Sequence, residues 1–386
     1  MSAVRFDDLG IKPPWAVQPP RLGVPELNEL LAWAADNHAS DIKLQSDERP
    51  AARLQGVWHR VATRRVTTAE LQEVLSQIYA SNAPALLSGG SPIDFAHQIG
   101  TARDRKLRFR VNATAGASHG SINGIDIVLR VIPEHSPSIE DINLEQAIVD
   151  AHRDVALSQG LVLVIGATGT GKSTTLAAMV DDCAMRYPVN ILTYEAPIEF
   201  NLGARPGAAG LVTQTEIPRH VGSFSEGVAN ALRRAPNIIV VGEARDRATI
   251  SGAITAALTG HAVYTTLHAH SVAAALPRMV AEFPRDEMRG IQSRLTDVIR
   301  LMITQRLVPR KGGGRIALRE YLVVDQSMRR ELAFTDPDQL QPRIHQWVRE
   351  RNQSLLCAAE RERDQLAEGV FELIEAEWKE SSHERG

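Results

Sequence analysis

The stretch VIGATGTGKSTT carries Gly166, four residues, Gly171, Lys172 and Ser173, with Gly169 between the two outer glycines. Glycines at this spacing let successive backbone N–H groups converge on phosphate oxygens without a Cβ in the way. A helix starting at Lys172 adds unpaired N–H groups and the positive end of its dipole. Lys172 is placed to reach the β- and γ-phosphates, and the Ser173 hydroxyl to take one Mg²⁺ position. Thr168, Thr170 and Thr174 complete the cradle. The pattern predicts a nucleoside triphosphate site.

Binding is not hydrolysis, which needs acids around the metal and a group that orients water. ILTYEAPIEF supplies two, Glu195 at the end of an apolar β-branched run and Glu199 just past Pro197. By residue type the two are evenly matched. APNIIVVGEARD ends a second apolar run in Gly242 and Glu243. Glu243 is read as the acid that holds Mg²⁺ through water, on a strand beside the P-loop strand. The alternative is a surface carboxylate capping the next helix. GHAVYTTLHAHS ends a third run in His268, either a donor that reads the γ-phosphate or a satisfied, half-buried histidine. His261, His268 and His270 fit no standard zinc spacing.

These residues need a framework of strands that end together. GLVLVIGA is a continuous apolar run, as a sheet covered on both faces requires. After it, helical and strand patterns alternate through STTLAAMVDDCAMRY, NILTYE, FSEGVANALRRA, NIIVVGE, DRATISGAITAALTG and AVYTTLH. That order predicts an α/β domain with a mainly parallel sheet over 146–350. QRLVPRKGGGRIALREYLVVD reads as a hairpin with a glycine tip, and residues 351–386 as a charged, amphipathic helical extension whose charges face solvent. Upstream, residues 25–135 mix helical spacing with short alternating strands, a small α+β domain. Residues 136–145 read as a linker, and the proline-rich residues 1–24 as a flexible or extended arm.

A chain of 386 residues accommodates two domains. Its net charge of -3 and 5% aromatic content argue against a basic, aromatic-lined nucleic-acid channel, so no direct nucleic-acid binding is expected. The two cysteines, Cys183 and Cys357, fit no metal spacing and read as buried thiols in a reducing, cytoplasmic setting. No apolar run approaches the ~20 residues of a spanning helix, so no direct membrane insertion is expected.

The P-loop, ILTYEAPIEF, ALRRAPNIIVVGEARD and TGHAVYTTLHAHS, in this order, resemble the Walker A, Asp box, Walker B and His box of the pilus-retraction (PilT-like) and type II/IV secretion ATPases. QTEIPRHVGSFSEGVANALRRAPNIIVVGEARD, the YEAPIEF variant and LVPRKGGGRIALREYLVVD bring the chain closest to the DotB/TraJ branch of type IVB secretion and plasmid conjugation systems. The resemblance spans about residues 25–350. It implies a RecA-like P-loop ATPase domain with a PAS-like N-terminal domain, ATP and Mg²⁺ as ligands, and a homohexamer. It further implies partners in a secretion or conjugation machine at the cytoplasmic face of the inner membrane. It assigns the water-polarising role to Glu199 and a supporting role to Glu195, although Ala196 stands where the pilus motors have Asp. It also implies that Arg110 and Arg130 reach the nucleotide and offset phosphoryl charge, the alternative being ordinary strand-edge arginines. Arg233, Arg234 and Arg245 read as further fingers or subunit contacts. A pilus retraction motor and a nucleic-acid translocase are the competing functions, and the segment typical of retraction motors is absent from ITQRLVPR and beyond.

Overall fold

Leu27, Leu30, Leu31 and Ala34 recur at helical spacing and form the buried face of α1 (Val24–Asp36), whose first turn opens on Pro25. The computed structural model describes residues 11–383 apart from 16, 55, 101–105, 119–120, 134 and 204–205. Two units emerge. One runs to His135 and also takes in Ala196–Asn201; the other holds Ser136–Glu195 and continues from Leu202.

In the first unit α1 is followed by β1 (Asp41–Gln45), β2 (Ala51–Leu54), β3 (Val57–Arg60), α2 (Thr68–Ile78), α3 (Ala83–Ser88), β4 (Ile93–Gly100), β5 (Lys106–Ser118) and β6 (Ser121–Ile132). The strands form one antiparallel sheet in the order β3-β2-β1-β6-β5-β4. One face packs Ile42, Leu44, Phe109, Val111 and Leu129 into a core shared with α1 and α2. A capping box starts α2: Thr67 Oγ1 accepts from the Glu70 N–H, and Glu70 Oε2 accepts from the Thr67 N–H at 2.8 Å. Burial pushes the Glu70 carboxyl up, but Arg64 and the N–H groups of Thr67 and Leu22 outweigh it and bring it down to about 2.

Of the two readings of the proline-rich lead, flexible or packed as an extended arm, residues 11–15 and 17–23 form the packed one. Trp15 and Leu22 are buried, and the Trp33 indole N–H donates to the Lys12 carbonyl at 2.7 Å. Two large side chains that find a core outweigh the absence of periodicity. Residues 1–10 and 16 of that arm, and 384–386 of the C-terminal extension, lie outside the described residues.

The second unit contains α4 (Gln146–Ala156), β7 (Gly160–Ile165), α5 (Lys172–Arg186), β8 (Asn190–Glu195), β9 (Leu211–Glu216), α6 (Phe224–Ala231), β10 (Ile238–Val241), α7 (Arg247–Leu258), β11 (Ala262–Leu267), α8 (Val272–Ala281), α9 (Met288–Val298), β12 (Ile299–Pro309), β13 (Arg315–Val323), α10 (Gln326–Phe334), α11 (Pro337–Glu350), α12 (Leu355–Arg361) and α13 (Val370–His383). Its sheet runs β13-β12-β7-β11-β10-β8-β9, parallel except for the β12–β13 hairpin. β7, β10 and β11 are buried at every position, which is why they read as unbroken apolar runs. Val308 and Leu318 of the hairpin pack against Ala358, Ala359, Leu366 and Ile374, and Arg306 pairs with Glu377 through Nη1 and Nη2.

Two expectations need correcting. The strand that carries Glu243, β10, is not beside the P-loop strand β7; β11, which carries His268, lies between them. Strand order depends on where each crossover helix lands, and no local residue pattern encodes it. Of the two thiols only Cys183 is buried, with burial pushing it up to about 12, whereas Cys357 is half-buried near the α12 N-terminus.

Candidate functional site

β7 ends at Ile165, and the chain turns through Gly166, Gly169 and Gly171, all at positive φ, into α5. Two of these positions admit no side chain. A Cβ on Gly166 would lie 2.6 Å from Thr170 Oγ1, and one on Gly171 would lie 2.7 Å from Gln305 Nε2. The Thr170 hydroxyl donates to the Ala167 carbonyl at 3.0 Å and tightens the loop. The buried Lys172 ammonium folds back over it, donating to the carbonyls of Gly166 and Ala167 at 2.8 and 2.9 Å. Ser173 and Thr174 occupy the first turn of α5, where N–H groups have no intrahelical acceptor. A Cβ-free cradle, a helix start and an ammonium that can exchange two carbonyls for phosphate oxygens together fit a polyphosphate.

Glu243 follows β10 after Gly242. The glycine is held on both sides: its N–H donates to the Tyr194 carbonyl at 2.7 Å, and its carbonyl accepts from Thr266 Oγ1 at 2.6 Å. A Cβ there would press on the Tyr194 carbonyl at 3.1 Å. The intervening glycine therefore lets β10 stay stitched to β8 and β11 while Glu243 leaves the sheet. Its carboxylate accepts from Arg245 at 2.6 Å and lies 3.3 Å from His268 Nε2. That contact raises the Arg245 guanidinium above its ordinary value. Glu243, Arg245, His268, Thr168, Arg278 and Glu282 line one cavity of about 420 Å³. The sequence reading gave no role to Arg278 and Glu282; their i,i+4 spacing at the end of α8 was the available signal.

Glu195 closes β8, with Oε1 accepting from Thr193 Oγ1 at 2.5 Å and from Gln214 Nε2 at 2.9 Å. The Gln214 contact went unnoticed because it comes from the parallel neighbour β9, 19 residues on. Glu199 belongs to the other unit together with Arg110, which donates to it at 3.1 Å. Arg110 on β5 lies directly opposite Arg130 on β6, and Arg130 directly opposite Asp41 on β1. Two like charges side by side on a sheet repel. Each has a carboxylate: Glu199 for Arg110, and the buried Asp41 for Arg130 at 2.8 Å. Arg233 and Arg234 lie at the end of the α6 turn, where Asn190 Nδ2 donates to the Arg234 carbonyl at 3.0 Å.

Among the described residues no group of three or more His, Cys, Asp or Glu is placed to hold a metal ion.

Residues 23–362 match the family described as Type II/IV secretion system protein. The chain belongs to that family. It is 35% identical over 305 residues to the Pseudomonas aeruginosa type IV pilus retraction ATPase PilT, covering 79% of this chain and 84% of that one. An uncharacterized Escherichia coli protein, YggR, is 34% identical over 77% of this chain and 86% of its own. Among solved structures, the Legionella pneumophila ATPase DotB superposes with a TM-score of 0.86 at 39% identity, covering 93% of this chain and 98% of DotB. The pilus retraction motor PilT with bound ADP gives 0.75 at 27% identity, over 90% and 95%.

Proposed function

We propose that this family member hydrolyses ATP as the motor of a type IVB-like secretion or conjugation machine. The observation that carries the reading is the likeness to the ATPase DotB across nearly the whole of both chains. The proposal includes a RecA-like second unit, a PAS-like first unit, a helical C-terminal extension, a homohexamer, and docking to partners at the inner membrane. Among the described residues no helix is long and apolar enough to cross a membrane.

In this reading the amides from Gly166 to Thr174 and the Lys172 ammonium bind the triphosphate. Ser173 and Glu243 would hold Mg²⁺, which would neutralise phosphate charge. Glu199 accepts a proton from the attacking water as the water oxygen bonds to the γ-phosphorus. The bond to the β,γ-bridging oxygen breaks, leaving ADP and inorganic phosphate. Glu195, fixed by Thr193 and Gln214, orients the water shell. Arg110 and Arg130 offset charge on the transferring group. His268, in contact with Glu243, donates toward the γ-phosphate and reports its loss.

The test is genetic and biochemical. The purified chain should release phosphate from ATP and have a mass six times the 42.2 kDa protomer. Deleting the gene should abolish protein secretion or plasmid transfer. Loss of surface motility with transfer intact would place the chain with the pilus retraction motors, the reading that its 35% identity to PilT supports. Salt-sensitive stimulation of turnover by single-stranded DNA would instead mark a nucleic-acid translocase.

A further inference from the structure

The P-loop rests on a buried polar pair that neither the motifs nor the proposed mechanism uses. β12 runs parallel to β7 with Thr304 beside Ile165, so the next residue, Gln305, lies under the glycine loop. Both ends of its amide are bonded. Nε2 donates to the Thr170 carbonyl at 2.5 Å, and Oε1 accepts from Thr175 Oγ1 at 2.6 Å. Directly opposite Gln305 in the hairpin is Arg319, 1% exposed. Arg319 Nε approaches Gln305 Oε1 at 3.4 Å. Its other nitrogens donate to the carbonyls of Ile142 and Asn143 at 2.9 and 3.0 Å and to Glu145 at 3.2 Å.

An arginine that is out of water needs such partners, and removing them leaves a charge that burial penalises heavily. Here the partners are two backbone carbonyls of the segment that joins His135 to α4. One of the two residues, Asn143, is held at φ +46°. The relay thus runs from the Thr170 carbonyl through Gln305 and Arg319 to residues 142–145, and that segment continues along the chain into the first unit. A shift of Thr170 by a few tenths of an ångström moves an amide whose both ends are fixed.

We propose that Gln305 and Arg319 are positioning residues that transmit the state of the phosphate loop to the connector at 136–145. The inference rests on the P-loop binding a nucleotide, as proposed above. The pair touches neither nucleotide nor water in this scheme; it sets the loop geometry from below and reads it out to the connector.

The experiment is hydrogen–deuterium exchange on the full chain with and without Mg-ADP and Mg-ATPγS, beside nucleotide binding by calorimetry and steady-state turnover. In the parent, nucleotide should change exchange of the 136–145 amides. In Gln305→Met, which keeps Arg319 on the connector, and in Arg319→Met, nucleotide should still bind within about threefold while the connector response disappears. A loop displaced by a fraction of an ångström should cost roughly tenfold or more in kcat with KM little changed. If Arg319→Met does not fold, Gln305→Met decides alone. A connector response that persists in a folded variant overturns the proposal. So does a parent that binds nucleotide with no response at 136–145, a result that leaves the ATPase reading standing. A parent that binds no nucleotide overturns both.

Discussion

Arg110 donates to Glu199 at 3.1 Å, and both residues belong to the unit that does not contain the P-loop. Each side chain is about a third exposed, 35% and 38%, so the pair is worth at most about 1 kcal/mol. A contact this weak contributes little to the stability of the fold.

Replacing Arg110 should therefore separate activity from stability. Arg110→Ala is expected to change the unfolding free energy by less than about 1 kcal/mol. Its kcat should fall by roughly tenfold or more, as phosphoryl charge loses its offset. Urea titration and phosphate release on the same preparation check both; a parent-like rate would show Arg110 to be an ordinary strand-edge residue.

Lys172→Ala removes the ammonium that bonds the Gly166 and Ala167 carbonyls. Charged hydrogen bonds of this kind are each worth about 1.5–3 kcal/mol. Nucleotide affinity should fall by at least roughly tenfold, and turnover should vanish. Calorimetry with Mg-ADP is the direct check. Unchanged affinity would remove Lys172 from the site.

Stability should fall with pH in a window set by His152. This ring is fully buried; burial outweighs the attraction of Asp182, 3.5 Å away, and brings its pKa down from 6.5 to about 4. A histidine that stays neutral in the fold and protonates in the unfolded chain gives stability that is present above 6.5. That stability is lost as pH drops towards 4, by at most about 1.4 kcal/mol per pH unit. Urea midpoints at pH 7 and pH 5 should differ in the parent and differ less in His152→Leu. Equal slopes in the two would contradict the assignment.

What the sequence made legible was local. The P-loop and the runs leading to Glu195, Glu243 and His268 are set by neighbours within a few residues, and the structure forms a strand in each run and a glycine turn before α5. What depended on long-range pairing stayed hidden. Arg110 and Glu199 are 89 residues apart, Gln305 and Thr170 are 135 apart, and Arg319 reaches Ile142 across 177. The Arg319 strand is buried along its central stretch, so no alternation singled out an inward charge. Strand order was hidden for the same reason, which is why Glu243 was expected one strand too close to the P-loop.

The division of labour between the two carboxylates of ILTYEAPIEF is the centre of the account. Glu195 is tied to Thr193 and Gln214 within the unit that holds the P-loop, whereas among the described residues Glu199 accepts from Arg110. The deciding measurement is steady-state ATP hydrolysis by Glu199→Gln and Glu195→Gln at saturating Mg-ATP, with nucleotide binding measured in parallel. The account predicts that Glu199→Gln binds nucleotide like the parent but turns over roughly a hundredfold or more slowly, and that Glu195→Gln keeps a larger share of the rate. Parent-like turnover by Glu199→Gln beside an inactive, nucleotide-binding Glu195→Gln would contradict it.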